Sequence, residues 1–132
     1  MPNSFKQHVV RRIVLWICGG TVSLVLGAFL CISLWIGADV RATSRSAMRH
    51  YPGDSVEALI QFVDDADQSL QERNRAVWAL GQLGDQRAIP VLRKHYSGEP
   101  CDHAKSLCQH ELRKAIKLTE GGVNLTALIW RP

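Results

Sequence analysis

The sequence lacks the short motifs that mark many catalytic and nucleotide-binding sites. It has no glycine-rich phosphate loop, no His-Glu-x-x-His helix and no Gly-x-Ser-x-Gly nucleophile turn. Those absences argue against a P-loop nucleotidase, a zinc protease of that type and an α/β hydrolase. Length sets a further limit, because 132 residues leave room for one small domain at most.

Acidic residues are missing from the first 38 positions. That region carries three basic side chains, whereas residues 39–132 carry 13 Lys and Arg against 12 Asp and Glu. The basic residues of the first region are Lys6, Arg11 and Arg12. The excess of positive charge therefore lies in a short flank beside an apolar segment, so we expect no nucleic-acid partner.

A charge-free run of 24 residues follows a polar N-terminal tail, residues 1–12. Residues 13–36 are long enough to cross the ~30 Å hydrocarbon core of a bilayer at ~1.5 Å per residue. Trp16 and Trp35 would lie roughly 28 Å apart along that helix, which suits the two membrane interfaces. We expect a single-pass helix in the cell membrane, in contact with lipid. The alternative is a cleaved signal peptide that ends near Ala38.

Small side chains recur on one face of this run. Gly19, Ser23 and Gly27 are spaced four residues apart, a pattern that lets two membrane helices approach closely. The stripe predicts a possible homodimer through the transmembrane helix. Because Gly and Ser are common in membrane helices, the alternative is a stripe without a partner.

Residues 37–53 have no clear apolar period and end in a Pro-Gly turn, so we predict a juxtamembrane linker. Arg41, Arg45 and Arg49 recur at helical spacing and either contact anionic lipid or are solvated. Three basic residues precede the span and three follow it, so the positive-inside rule does not orient the chain. The short N-terminal tail favours an extracytoplasmic C-terminal domain.

The clearest pattern is a helical hairpin within residues 72–96. Gly84 supplies a left-handed helix stop, and Asp85 can cap the second helix. Pro90 is tolerated close to a helix start. Apolar stripes are formed by Ala76, Val77, Leu80 and Leu83 in the first helix and by Ala88, Ile89, Leu92 and Tyr96 in the second.

The run AVWALGQLGD followed by RAIPVL resembles the HEAT-like repeat of phycobilisome-lyase-type proteins. With flanking helices the resemblance covers residues 54–120. It implies an all-α domain of about four helices stacked as an α-solenoid, and most such proteins are binding scaffolds. We expect these helices at residues 54–66, 72–83, 86–97 and 103–118, which form two degenerate repeats.

Two repeats are few for a stacked domain, since about three are usually needed to bury a continuous core. Residues 121–132 are too apolar for a free end. We expect this tail, with Val123, Leu125, Leu128 and Ile129, to fold back over an open end of the helix stack, with Trp130 as the plug.

Cysteines occur in two settings. Cys18 and Cys31 lie in the apolar run and are expected to be inert. Cys101 and Cys108 would lie ~10 Å apart on a regular helix, too far for a disulfide. However, Pro100 places Cys101 at or before the helix start, where the chain can turn back. A disulfide, which requires an oxidising compartment, and two free thiols both remain open.

The same cysteines alternate with His103 and His110 in a Cys-x-His-x4-Cys-x-His array. Side chains two apart on a helix diverge by ~200°, so we predict no zinc site and no cofactor. The run EPCDHAKSLCQHELRKAI and the Trp-Arg tail also resemble short bacterial membrane proteins with HEAT-like repeats.

The leading hypothesis is a membrane-anchored scaffold that binds an unidentified protein and has no catalytic activity of its own. Arg73, Arg75, Trp78 and Gln82 are the predicted binding residues, because Arg and Trp are favoured at interface hot spots. Two alternatives remain: a lyase-like or accessory subunit of a membrane enzyme complex, and a structural membrane dimer.

Overall fold

A computed structural model describes residues 3–102 and 105–131, and within them every regular element is helical. This confirms the predicted all-α fold. A single 3-10 turn, Gln86–Ala88, precedes the fourth α-helix. The helices are α1 (Asn3–His50), α2 (Ser55–Asp64), α3 (Leu70–Leu83), α4 (Ile89–His95), α5 (Gln109–Thr119) and α6 (Ala127–Trp130).

Helix α1 is 48 residues long and has two different halves. Side chains from residue 7 to residue 28 are all exposed, although most are apolar. This half holds one segment that is long and apolar enough to cross a membrane, and none of that segment is buried within the protein. It therefore differs from the core helix of a globular domain, which would be covered by its own chain.

The second half of α1 corrects the linker prediction for residues 37–53. The helix continues to His50, and one of its faces is buried in the domain. The buried positions are Ser33, Gly37, Val40, Ser44 and Ala47. Small and polar side chains dominate this stripe, so its apolar period is weak in the sequence. The helix ends only at the predicted Pro-Gly turn, where Pro52 cannot continue it.

Helices α2 and α3 are each bounded by a local cap, and the stop of α3 at Gly84 is the one that the sequence predicts. Asp54 caps α2 by accepting hydrogen bonds from the N–H groups of Val56 and Glu57, and the Glu57 carboxylate accepts the Asp54 N–H. Gly84 ends α3 at φ +64°, a left-handed conformation that glycine adopts without steric cost. The main core lies between helices α1 to α5, and Leu59, Leu80, Leu92 and Leu112 are fully buried in it.

The predicted second hairpin helix is shorter than expected. Asp85 caps the 3-10 turn by accepting the Arg87 N–H, and Pro90 stands in the first turn of α4. The helix ends at His95, so Tyr96 is exposed rather than part of the apolar stripe. Tyr96 follows three basic residues in the last turn, a composition typical of a helix end.

Helix α5 begins at Gln109, later than the predicted start near residue 103. Cys108 is its N-cap residue, and its N–H donates to the Asn74 Oδ1 at 2.8 Å. This bond fixes the first turn of α5 against α3, and the described residues 96–102 and 105–108 before it form an irregular loop. His103 lies outside the described residues.

The C-terminal tail returns to α1. Trp130 is buried against Gly37, where a Cβ would lie only 2.7 Å from the Trp130 Cβ. The expected burial of the other apolar tail residues is wrong, because Val123, Leu125 and Leu128 are exposed. A helix of only four residues has one narrow face, and Ala127 and Trp130 occupy it.

Candidate functional site

The four predicted binding residues do not form one site. The Arg73 Nε donates to the Val63 carbonyl at 2.9 Å, so this side chain ties α3 to the last turn of α2. Arg75 faces α1, whereas Trp78 and Gln82 face α5. Helix α3 therefore presents two separate surfaces.

The first surface is the α1–α3 groove, a cavity of about 180 Å³ that opens between α1, α2 and α3. Its floor is apolar, and its rim carries both signs of charge. Arg75 donates to the Asp39 carboxylate at 2.8 Å across the mouth of the groove, and Glu72 lies one turn away. The floor is formed by Ala47, Leu59, Phe62 and Ala76, and the rim by Asp39, Ala42, Thr43, Ser46, Glu72 and Arg75.

The second surface is the α3–α5 groove, a cavity of about 220 Å³ lined by Trp78, Gln82, Glu111, Lys114 and Leu118, with Gly81 and Ala115 at its base. Trp78 is half-buried and packs on the core. The Gln82 Oε1 accepts a hydrogen bond from the Asn124 amide at 2.8 Å. This oxygen, which was predicted to contact a protein partner, therefore already bonds to the C-terminal tail.

Neither groove holds a catalytic arrangement among its described lining residues. A nucleophile paired with a base is absent from both linings, and the charged groups there are mainly in ion pairs. Grooves with an apolar floor and a charged rim fit an apolar side chain flanked by charges. The α1–α3 groove is the stronger candidate because one of its rim charges, Asp39, is only three residues past the apolar run.

The two domain cysteines lie together. The sulfur of Cys101 is 2.7 Å from that of Cys108, and both are free thiols in the structure. Cys101 is exposed and Cys108 is buried. A hydrogen bond from the Cys108 thiol, and a second from the His110 N–H at the start of α5, lower the pKa of Cys101. Cys101 is therefore the more reactive thiol of the pair.

No cluster of three or more His, Cys, Asp or Glu side chains with metal-binding geometry occurs among the described residues. The zinc array includes His103, which the structure does not describe, so the array is visible only in part. Cys108 contacts Cys101 directly. That arrangement favours a dithiol or a disulfide.

The predicted membrane residues are all exposed on α1, and only Trp35 lies beyond the apolar half that has no buried position. Trp16 and Trp35 project into solvent-accessible space, and a Cβ at Gly19 or Gly27 would meet no described atom within 4 Å. The Ser23 hydroxyl donates to the Gly19 carbonyl at 2.9 Å, so this polar group is satisfied within the helix. This half of α1 is therefore free to contact lipid or another helix.

Sequence reasoning missed the α1 side of the groove. Asp39 and Arg75 are 36 positions apart, and nothing local connects them. The signal that was available is the repeat of Val40, Ser44 and Ala47 at helical spacing, which continues the helix beyond the apolar run.

Comparison with known proteins supports the repeat. Residues 72–97, which include most of α3 and all of α4, match the family described as PBS lyase HEAT-like repeat. A curated relative, deoxyhypusine hydroxylase from Schizosaccharomyces pombe, is 38% identical over 55 residues, a match that covers 42% of this chain. The chain spans only 17% of that enzyme's length. No solved structure gives a significant match. Residues 72–97 of the chain therefore contain a HEAT-like repeat.

Proposed function

We propose that the protein is a single-pass membrane protein whose HEAT-like domain binds another protein close to the membrane surface. The observation that carries the proposal is the continuity of α1. One half of this helix is apolar and uncovered, and the other half is part of the domain core. An exposed apolar helix of this length needs an apolar environment to cover it, and the hydrocarbon core of a bilayer matches its length.

The packing of α1 argues against removal of the apolar half as a signal peptide. Cleavage near Ala38 would detach Ser33 and Gly37, which are buried against the domain. It would also remove the surface on which Trp130 packs. The domain would then lose part of its core, so an uncleaved anchor is the more stable arrangement.

The α1–α3 groove is the proposed binding site. Its apolar floor would take one or two apolar side chains, and Asp39, Glu72 and Arg75 on its rim would pair with flanking charges. Because Asp39 is close to the end of the charge-free run, the partner segment would be juxtamembrane. Such a groove needs a segment presented by a neighbouring membrane protein.

Photo-cross-linking tests this site in living cells. Ala42 is an exposed rim residue, and replacing it with p-benzoylphenylalanine should give a discrete cross-linked protein band. Lys117 is exposed on α5 and outside both grooves, so the same probe there is the matched control. The charge reversal Arg75→Glu should abolish the Ala42 band. Equal bands from both positions, or no effect of Arg75→Glu, would contradict the proposal.

Alkaline carbonate extraction tests the anchor separately. A chain with a transmembrane helix stays in the pellet, whereas a peripheral protein is released. Replacing Leu24 and Leu26 with Glu should move the chain to the supernatant, because charges at the centre of a span cost several kcal/mol. Release of the native chain would overturn the anchor.

We place the domain outside the cytoplasm, with a Cys101–Cys108 disulfide. The 2.7 Å separation of the sulfurs supports this, because bond formation needs little movement of the chain. A disulfide would pin the irregular loop to the start of α5. It would also persist only in an oxidising compartment, which agrees with the expected topology.

A second candidate function is that of an enzyme subunit, and two observations favour it. The pKa of the exposed Cys101 is lowered, and the partial relative is an enzyme by name. This function needs a free Cys101 thiol in membranes. The rate of its alkylation by iodoacetamide should reach half of its maximum at a pH below about 8.5, the ordinary pKa of a cysteine thiol. Recovery of Cys101 as a disulfide by mass spectrometry would exclude it.

A further inference from the structure

We infer that the C-terminal segment, residues 123–131, is a second membrane contact that lies in the lipid interface beside α1. This inference rests on the proposed anchor, and it concerns a part of the chain that the HEAT-like repeat does not include. Residues 123–131 would contact the lipid head groups and the upper part of the acyl chains.

The first argument is the height of α6 along α1. Trp130 packs on Gly37, the residue that directly follows the predicted span, residues 13–36. Ser33, one turn earlier, is also fully buried. The contact between domain and helix therefore overlaps the last turn of the proposed span. Trp35 projects from the same level of α1, where an indole favours the interface.

The second argument is exposed apolar surface. Val123 is 83% exposed, Leu125 is 61% exposed and Leu128 is 80% exposed. Three large apolar side chains within six residues are unusual on a surface that only water covers. Since the proposed bilayer begins at the same height, these side chains can leave water without any change in the fold.

The third argument is charge. A groove of about 500 Å³ lies between α1 and α6, and it is lined by Arg41, Arg45 and Arg131 together with two serines and five apolar side chains. None of its described lining residues is acidic. Arg41 donates to the Trp130 carbonyl at 3.4 Å and Arg131 donates to the Gln82 carbonyl. Each guanidinium has further donors that can reach lipid phosphates.

Apolar side chains beside arginines are the pattern of an interfacial segment, and anionic lipid strengthens such contacts. A protein partner or a second copy could also cover apolar residues. Lipid is favoured here because α6 packs on α1 directly after the proposed span and because the groove between α1 and α6 is cationic.

Spin-label accessibility in lipid nanodiscs tests the inference. The full chain with Cys18, Cys31, Cys101 and Cys108 replaced by Ser carries one nitroxide at a time, at Leu128→Cys, at Lys117→Cys or at Leu24→Cys. Lys117 is an exposed control on α5, and Leu24 is a control within the proposed span. The Leu128 label should collide more with oxygen and less with a water-soluble nickel chelate than the Lys117 label.

The outcomes separate the two proposals. If Leu24 is in lipid and Leu128 behaves like Lys117, the anchor stands and the second contact is wrong. If Leu24 also behaves like Lys117, the anchor itself fails. Exclusion of both reagents at Leu128 would mean that protein covers the patch, which overturns the inference as well.

Hydrogen–deuterium exchange on the native sequence provides a second measurement that needs no cysteine changes. Amides of residues 123–131 should exchange more slowly in nanodiscs with anionic lipid than in purely zwitterionic ones. The double substitution Arg41→Gln and Arg45→Gln should remove that difference, whereas Arg113→Gln on α5 should not. Equal exchange in both lipids for the native chain would contradict the charge argument.

Discussion

At the scale of single residues, two glycines determine how closely helices pack. Gly81 of α3 faces Ala115 of α5, and a Cβ there would lie 2.8 Å from the Ala115 Cα. Gly37 plays the same part for Trp130. These positions show that the domain is held by backbone proximity as well as by its large apolar side chains.

Replacing Gly81 with Ala should therefore destabilise the domain. Overpacking lowers the free energy of unfolding by about 1–3 kcal/mol, and the better helix propensity of Ala offsets up to about 1 kcal/mol of this loss. A net loss of about 1 kcal/mol lowers Tm by roughly 4–8 °C in a domain of this size. Circular dichroism of the detergent-solubilised chain measures it. Gly20→Ala has no described atom within 4 Å of the new Cβ and should leave Tm unchanged.

The carboxylate of Asp54 links stability to pH. Hydrogen bonds from the Glu57 N–H and from the Arg87 guanidinium, in that order, hold its pKa below the ordinary value. A carboxylate with a lowered pKa contributes stability above the ordinary Asp pKa of about 4, and this contribution is lost as the pH falls below it.

Asp54→Asn should lower Tm at pH 7 by about 2–4 °C, because an exposed ion pair contributes about 0.5 kcal/mol. The difference from the native chain should shrink towards pH 3, where the native carboxylate becomes protonated. Thermal melts at several pH values measure this. A difference that stays constant with pH would show that only the cap geometry matters.

At the scale of elements, the central hairpin could be predicted because its causes are local. The stop at Gly84 and the cap at Asp85 are visible in the sequence, and the stripe of α3 has large apolar members. The second half of α1 could not be predicted in the same way. Its buried face consists mainly of small residues, and its burial depends on elements that come later in the chain.

The start of α5 shows the same limit. The sequence places a helix near residue 103, yet the structure begins it at Gln109. The difference depends on the hydrogen bond from the Cys108 N–H to Asn74, a residue 34 positions earlier. The candidate binding site was predicted only in part for an equivalent reason. Spacing indicates which residues of α3 share a face but not which helix covers that face.

The exposed stripe of α1 carries an element-scale prediction. If Gly19, Ser23 and Gly27 form a helix–helix contact, Gly27→Leu should abolish an amine-cross-linked dimer in native membranes, because the larger side chain prevents close approach. Ala28→Leu places the same side chain on a different face of the helix and should leave the dimer intact. A band unaffected by Gly27→Leu, or the absence of a dimer in the native chain, would contradict the contact.

At the scale of the whole molecule, the thiols report the topology. Intact cells are treated with a membrane-impermeant maleimide, with and without prior reduction. We expect Cys101 and Cys108 to react only after reduction, because the domain is outside and the thiols are bridged. The double substitution of both residues by Ser gives the background from Cys18 and Cys31. Reaction only after lysis, without reductant, would place the domain in the cytoplasm with free thiols.

Because α1 is one continuous helix, it also fixes the orientation of the domain, about the helix axis, relative to the apolar half of α1. Each residue of an α-helix adds about 100° of rotation and 1.5 Å of rise, so one residue inserted near Leu26 would turn the domain by about 100° about the helix axis. Seven inserted residues would restore nearly the original orientation of the domain and move it about 10 Å farther along the helix axis. Binding to a neighbour of fixed orientation should therefore vary periodically with insertion length. In the same way, rotation of the apolar half about its axis would rotate the whole domain, because α1 has no break between the two.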